Sequence, residues 1–117
     1  MPTIKSYLTM AARVAETKAD ARTFVIGAVA VRNDGVIVSA YNGPVVYPTA
    51  DAHAEYRLMR KTGFCSVVYV ARVTKGRKHW ALAKPCATCQ AILKSHRVKK
   101  VYFTVEPGQW DILSFED

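Results

Sequence analysis

The sequence has few cysteines, no long apolar run and no evident leader segment. Cysteine accounts for three of the 117 residues, and the hydrophobic half of the chain forms no stretch long enough to span a bilayer. The first residues lack a basic segment followed by an apolar core, which is the pattern of a secretory signal. A small number of cysteines suits a reducing compartment. These absences predict a cytoplasmic protein that makes no contact with a membrane.

The chain is also short, and it shows no internal repeat, linker or low-complexity segment. Its length permits one hydrophobic core with little to spare. The hydrophobic share of the residues is ordinary for a globular protein and argues against disorder. We therefore expect residues 1–117 to form a single domain.

Acidic residues are missing from a long stretch of the chain. Twelve lysines and arginines, and no aspartate or glutamate, lie between Arg57 and Lys100, and this stretch supplies most of the net charge of +8. Such a basic block can hold a phosphate near a site or attract a polynucleotide. It can also be a solvated face with no partner. The aromatic rings of Tyr41, Tyr47 and Trp80 are in turn either platforms for a base or packing residues.

The spacing of apolar residues predicts three helices and four strands. Apolar side chains recur at helical intervals near the N-terminus and form near-continuous runs in the strands. The predicted elements are a helix over 4–20, strands over 24–31 and 36–41, a helix over 52–61, a strand over 66–73, a helix over 85–96 and a strand over 98–105. Residues 79–83 are expected to lead in extended form into Pro85, and 109–117 to be a short tail anchored by Trp110.

The connections between these elements predict how the strands pair. Asp34-Gly35 suits the tight turn of a hairpin, so the first two strands should be antiparallel neighbours. A helix connects the third strand to the last, and a crossover of this kind implies parallel pairing. The order of elements predicts a three-layer α/β/α sandwich with a mixed central sheet.

The most informative stretch is Pro85-Cys86-Ala87-Thr88-Cys89. Cysteines three residues apart on a helix lie on one face, so both sulfurs can reach the same metal ion. Proline suits the first turn of a helix, and the positive end of the helix dipole favours the thiolate form of both cysteines. The stretch predicts a pair of metal ligands at the start of a helix.

His53-Ala54-Glu55 stands at the predicted start of an earlier helix. His53 is a candidate third ligand, which would leave the fourth tetrahedral position to water, as in a catalytic zinc site. Glu55 points in another direction from the same helix and can stand beside that water as a proton carrier. His-x-Glu followed by Pro-Cys-x-x-Cys is the signature of the zinc deaminases.

Plainer interpretations of the cysteines stay open at this point. Cys86 and Cys89 can form a redox pair, or they can be part of a closed structural zinc site that includes Cys65. Both interpretations leave Glu55 without a role. Cys65 itself is most simply a small buried apolar residue.

The chain resembles the cytidine and deoxycytidylate deaminase superfamily, in the branch with His-x-Glu rather than Cys-x-Glu. The resemblance covers nearly the whole chain, from the strand at 25–29 to the strand at 101–103. It implies zinc as the cofactor. The metal ligands would be His53, Cys86 and Cys89, and Glu55 would carry the proton. It also implies a homo-oligomer, since relatives commonly complete their pockets with a neighbouring subunit.

The same resemblance implies a set of substrate-binding residues. Asn42 would contact the sugar, although it can equally be a turn residue before Gly43. Gly27 and Ala28 would line the pocket floor, and the backbone N–H of Ala54 would meet the carbonyl that forms. Lys84, by contrast, departs from what relatives often carry at this place. It is the basic residue closest in sequence to the predicted ligands, and this position makes it the candidate for binding a phosphate.

Three functions are consistent with the sequence. The favoured one is zinc-dependent hydrolytic deamination of a cytosine nucleoside or nucleotide. The second is deamination of cytosine or adenine in single-stranded DNA or RNA, and the third is a nucleic-acid-binding zinc module without catalysis. The segment 74–83 is longer than in simpler relatives and the tail after Val105 is shorter than in larger ones, so neither identifies the substrate.

Overall fold

The computed structural model describes residues 3–17, 24–32, 34–41, 54–62, 65–74 and 79–115. Within these ranges the chain forms three helices and six strands. The helices are α1 (Ile4–Thr17), α2 (Ala54–Thr62) and α3 (Ala87–Ser95). The strands are β1 (Phe24–Val31), β2 (Ile37–Tyr41), β3 (Val67–Thr74), β4 (Trp80–Ala81), β5 (Lys100–Glu106) and β6 (Gln109–Ser114).

The strands form one mixed sheet in the order β2-β1-β3-β5-β6. β1 is antiparallel to both β2 and β3, and β3 is parallel to β5. The short strand β4 pairs with the end of β3. The hairpin between the first two strands and the parallel crossover through α3 are therefore confirmed.

The β1–β2 turn has the geometry that Asp34-Gly35 predicts. Gly35 adopts a positive φ of 88°. Its N–H donates to the Arg32 carbonyl at 2.9 Å, and the Arg32 N–H donates to the Val36 carbonyl at the same distance. The Asp34 carboxylate accepts a hydrogen bond from the Val36 N–H at 3.1 Å. These bonds fix the register of the edge strand β2.

Helices cover both faces of the sheet. Leu8, Ala11 and Ala15, which belong to the predicted apolar stripe of α1, pack with Val29 and Tyr69 on one face. On the other face α2 and α3 pack on a second cluster, which includes Ala28, Leu58, Val70, Leu93 and Phe103. The three-layer arrangement with a mixed sheet is thus confirmed. None of the described helices is long and apolar enough to cross a membrane.

Gly27 allows α1 to lie unusually close to the sheet. A Cβ atom at this position would collide with the carbonyl oxygen of Ala11 and would stand 2.9 Å from the nitrogen of Ala15. Successive residues of a strand face opposite sides of the sheet. Gly27 therefore faces α1, whereas its neighbour Ala28 faces α2 and α3.

The prediction of a short tail after residue 108 is wrong. β6 returns antiparallel to β5 and becomes the edge strand of the sheet. The turn between them is Pro107-Gly108, in which Gly108 takes a positive φ of 76°. Trp110 is 38% exposed and pairs across from Thr104, so it lies in a strand and does not anchor a tail. Main-chain pairing orders this segment because β5 offers it a free edge.

Candidate active site

Glu55 lies in the first turn of α2 and is almost completely buried. Its side chain is 4% exposed, and Ala54 before it is fully buried. Leu58 and Met59 follow at helical spacing and point into the same core, so this face of α2 is turned towards the sheet. A buried carboxylate is costly unless other groups compensate for it. His53, the predicted metal ligand directly before α2, lies outside the described residues.

Cys86 begins α3 as its N-cap residue. Its backbone is extended (φ −69°, ψ 168°), and its side chain makes no capping hydrogen bond. Its carbonyl accepts the N–H of Gln90 at 2.9 Å, and the Gln90 amide donates to the Pro85 carbonyl at 2.8 Å. Pro85 therefore precedes the cap, whereas the sequence predicted it in the first turn of the helix. The thiol of Cys86 is exposed and takes no part in capping the helix.

Cys89 joins Glu55 and Cys86 into one group. Its thiol is fully buried and has side-chain hydrogen bonds to both of these residues. Burial raises the pKa of the Cys89 thiol, and the charge of the nearby Glu55 carboxylate raises it further. Two sulfur atoms and a carboxylate thus meet where α2 and α3 begin, as the two motifs predicted.

The donor set at this point fits a zinc ion. Two thiols on one side of a helix start are soft ligands of the kind zinc prefers, and Glu55 stands beside them. Within the described ranges, no three His, Cys, Asp or Glu side chains already form a metal-binding group. Since Cys65, Cys86 and Cys89 are all described, Cys65 does not complete a site with the other two. A third ligand would have to come from elsewhere, and His53 is the residue that the sequence offers.

The position of Cys86 depends on a fork in the sheet. β3 and β5 are paired as far as Val70 and Phe103, and beyond this point β3 pairs with β4 instead. The fully buried Thr104 lies in this fork and forms hydrogen bonds to both of the strands that pair there. Its hydroxyl donates to the Ala81 carbonyl at 2.7 Å and accepts the Arg72 N–H at 3.1 Å. Sequence reasoning missed Thr104, since a threonine in a strand carries no special signal.

The fork also guides the chain from β4 to α3. The Thr104 carbonyl accepts the N–H of Ala83 at 2.9 Å, which holds the segment before Pro85 against β5. This agrees with the predicted extended lead into Pro85. Near the start of the segment 74–83, the Thr74 N–H donates to the His79 carbonyl at 2.9 Å. Residues 75–78, which carry three of the basic side chains, lie outside the described residues.

The remaining predicted residues are only partly brought together. Ala28 is buried on the α2 and α3 side of the sheet, and Lys84 is exposed two residues before Cys86. Gly27 faces α1, so the expected pair on the pocket floor is divided between the two faces. Asn42 lies outside the described residues. Cys65 is a buried core residue, as expected, and burial raises the pKa of its thiol to about 11.

Comparison with solved structures shows the same fold. Cytidine deaminase from Mycobacterium leprae superposes with a TM-score of 0.66 at 19% identity, covering 92% of this chain and 91% of that one. Cytidine deaminase from Burkholderia pseudomallei gives 0.63 at 24% identity, covering 92% and 89%. The Mycobacterium tuberculosis enzyme gives 0.59 at 21% identity, covering 88% and 87%.

Sequence comparison gives the family. No curated protein sequence matches the chain at a significant level. Residues 1–105, however, match the family model described as the cytidine and deoxycytidylate deaminase zinc-binding region. The match includes Glu55, Cys86 and Cys89, which the structure brings together, as well as His53. The chain therefore belongs to the cytidine and deoxycytidylate deaminase family, whose domain is a zinc-binding region.

Proposed function

We propose that the protein is a zinc-dependent deaminase that converts the cytosine of a free nucleoside or nucleotide into uracil and releases ammonia. The observation that carries this proposal is the buried Glu55 carboxylate beside the thiols of Cys86 and Cys89. A redox pair or a structural zinc site requires no buried carboxylate at this place. A deaminase requires one, because protons have to be moved between the attacking water and the base in a site closed to bulk solvent.

The metal ligands in this proposal are His53, Cys86 and Cys89. Bound by these side chains, a zinc ion would supply the Lewis acidity that activates water near neutral pH. The start of α3 favours this role for Cys86, since the first N–H groups of a helix stabilise negative charge. Cys89, whose pKa is raised by burial and by Glu55, would lose its proton on binding the metal. The hydrogen bonds of Thr104 to Ala81 and Ala83 hold the segment before Cys86 against β5.

Glu55 carries the protons. It accepts one from the attacking water and delivers it to the ring nitrogen N3 while the C4–O bond forms. It then takes the proton of the new C4 hydroxyl group and transfers it to the amino group; the C4–N bond breaks, the C4=O bond forms and ammonia leaves. Water and the cytosine base are consumed, and the uracil base and ammonia are produced, so atoms and protons balance. The position of Glu55 on the buried face of α2 lets it act without competition from bulk water.

The substrate contacts are assigned from the same framework. The N–H of Ala54 is one of the first in α2 and has no acceptor within the helix, so we assign it to the oxygen that develops at C4. Ala28 faces this side of the sheet and would contact the base, whereas Gly27 could contribute only through its backbone. Asn42 would bind the sugar, and Lys84 a phosphate.

The test of this proposal is ammonia release combined with metal analysis. Wild-type protein should contain about one zinc ion per chain and deaminate at least one of cytidine, deoxycytidine and deoxycytidylate. Cys86→Ser should lose both zinc and activity, whereas the matched control Cys65→Ser should keep both. Zinc loss in the Cys65 variant would instead support a closed structural site, and bound zinc without any deamination would support a zinc module.

A deaminase of single-stranded DNA or RNA is the second candidate. A groove between α2 and β2 favours it, since Arg57, Arg60 and Lys61 line this groove. In that case Lys75, Arg77 and Lys78 should follow the backbone of the strand, so neutralising all three should weaken a strand substrate and leave a mononucleotide unaffected. A cytoplasmic location and a homo-oligomer remain predictions from the sequence. Sizing of the purified protein by light scattering tests the second of these.

A further inference from the structure

A cationic groove runs between α2 and the edge strand β2. Its volume is about 360 Å³. The described residues that line it include three cations, one aromatic ring and no acid; they are Ala40, Tyr41, Arg57, Arg60 and Lys61. Arg57, Arg60 and Lys61 are three and four residues apart, so they project from one face of the helix.

The groove is built by specific contacts between helix and strand. The Arg57 guanidinium donates to the Tyr41 carbonyl at 3.3 Å, and its carbon lies 5.4 Å from the centre of the Tyr41 ring. The Lys61 ammonium donates to the Ser39 carbonyl at 2.9 Å. Both acceptors are neutral carbonyls of β2, so these contacts position the two charges without neutralising them.

This surface is separate from the group around Glu55. At about 100° per residue, the three cations lie roughly 140° to 240° around the axis of α2 from Glu55, on the opposite side of the helix. A helix with its side chains is about 10 Å wide. A phosphate in the groove would therefore be across α2 from the reaction centre assigned under the proposed function. It cannot be the phosphate of the nucleotide whose base meets Glu55.

We propose that this groove binds the phosphodiester backbone of a single-stranded nucleic acid. Guanidinium and ammonium groups bind phosphate oxygens, and they follow one another along the groove over a rise of about 6 Å from Arg57 to Lys61. At one end, the Arg57 guanidinium over the Tyr41 ring gives a planar pair against which an unpaired base can stack, and a duplex would not present such a base. The groove runs along α2 from Arg57 to Lys61, near the C-terminal end of the helix.

The experiment is binding of a fluorescently labelled oligothymidylate of about twelve nucleotides, followed by anisotropy between about 50 and 200 mM salt. The strand contains no cytosine, so the result does not depend on whether the protein is a deaminase. The groove variant is Arg57→Gln, Arg60→Gln and Lys61→Gln. The control variant, Lys5→Gln, Lys94→Gln and Lys99→Gln, removes the same number of charges from exposed positions outside the groove.

We expect the groove variant to bind at least about tenfold more weakly than the control variant. The slope of log affinity against log salt should become shallower by about 0.7 for each phosphate that the protein no longer neutralises. Lys61→Gln alone, at an exposed position, should lower the slope by about one such step. Equal losses of affinity in the two triple variants, no binding by wild type, or equally strong competition by thymidine monophosphate would each overturn the proposal.

Discussion

The two faces of the sheet differ in the kinds of side chain that they bury. Among the described residues, the face under α1 is held by close packing of apolar and aromatic side chains. There Gly27 admits the backbone of the helix, and Tyr69 lies 4.7 Å from the ring of Tyr7 and 5.4 Å from that of Tyr102. The face under α2 and α3 has an apolar core of similar kind, yet it also buries Glu55 beside the thiol of Cys89.

The difference shows where the chain buries a group that is unfavourable for folding. Burying a carboxylate costs free energy, and a chain of 117 residues has few apolar contacts with which to offset it. The α1 face has no such polar group among the described core residues and contributes to stability. Changes on the α1 face should therefore alter stability without altering the chemistry. Changes at Glu55 should alter the chemistry without lowering stability.

The largest expected effect on stability is that of Gly27→Ala. The new methyl group would meet the Ala11 carbonyl, a backbone atom that cannot move aside as a side chain can. We expect the free energy of unfolding in urea to fall by about 3 kcal/mol or more, while activity per folded molecule is retained. Gly108→Ala is the control, since nothing lies within 4 Å of its Cβ and its left-handed backbone costs about 1 kcal/mol. Equal destabilisation of the two variants would contradict the close approach of α1.

A smaller effect is expected for Thr104→Val, which removes the hydroxyl at the fork and keeps the shape of the side chain. The Ala81 carbonyl and the Arg72 N–H would lose their partner, at a cost of about 1–3 kcal/mol. Because the fork guides the chain to Cys86, zinc affinity measured by competition with a chelator should fall as well. Thr104→Ser keeps the hydroxyl and should retain zinc affinity. If valine and serine behave alike, the hydroxyl does not hold the fork.

The smallest effect concerns Cys65 and appears only at high pH. Burial raises the pKa of this thiol from 9.0 to about 11. Its neutral form therefore contributes stability that is present below about pH 9 and is lost as the pH rises through about 11. The free energy of unfolding should therefore fall more steeply between these pH values in the wild type than in Cys65→Ala. Native protein at pH 8 should also resist thiol reagents at this position, and rapid labelling there would contradict the assignment.

Some parts of this structure could be predicted from the sequence because the cause is local. The turn at Asp34-Gly35 fixes the first hairpin, and the helical spacing of Leu8, Ala11 and Ala15 fixes the buried face of α1. The grouping of Glu55 with the two cysteines was also predictable, since a metal site imposes its ligand types and spacing on the chain.

Other parts depend on contacts that no local pattern reveals. β6 forms because β5 offers it an edge to pair with, which the local sequence does not reveal. For this reason the sequence predicts Trp110 as the anchor of a tail and not as a strand residue. The role of Thr104 arises where two strands diverge, and that divergence is a property of the whole sheet. The assignment of Gly27 to the pocket floor followed the resemblance, whereas strand alternation turns this residue towards α1.

The central claim is that Glu55 is buried for chemistry and not for stability. The most direct test is the turnover of Glu55→Gln on whichever cytosine substrate the wild type deaminates, with zinc content and unfolding free energy measured on the same sample. We expect turnover to fall by at least about 10²–10⁴-fold, with zinc retained and stability unchanged or increased, because a neutral amide is easier to bury than a carboxylate. Turnover within about tenfold of wild type would contradict the account.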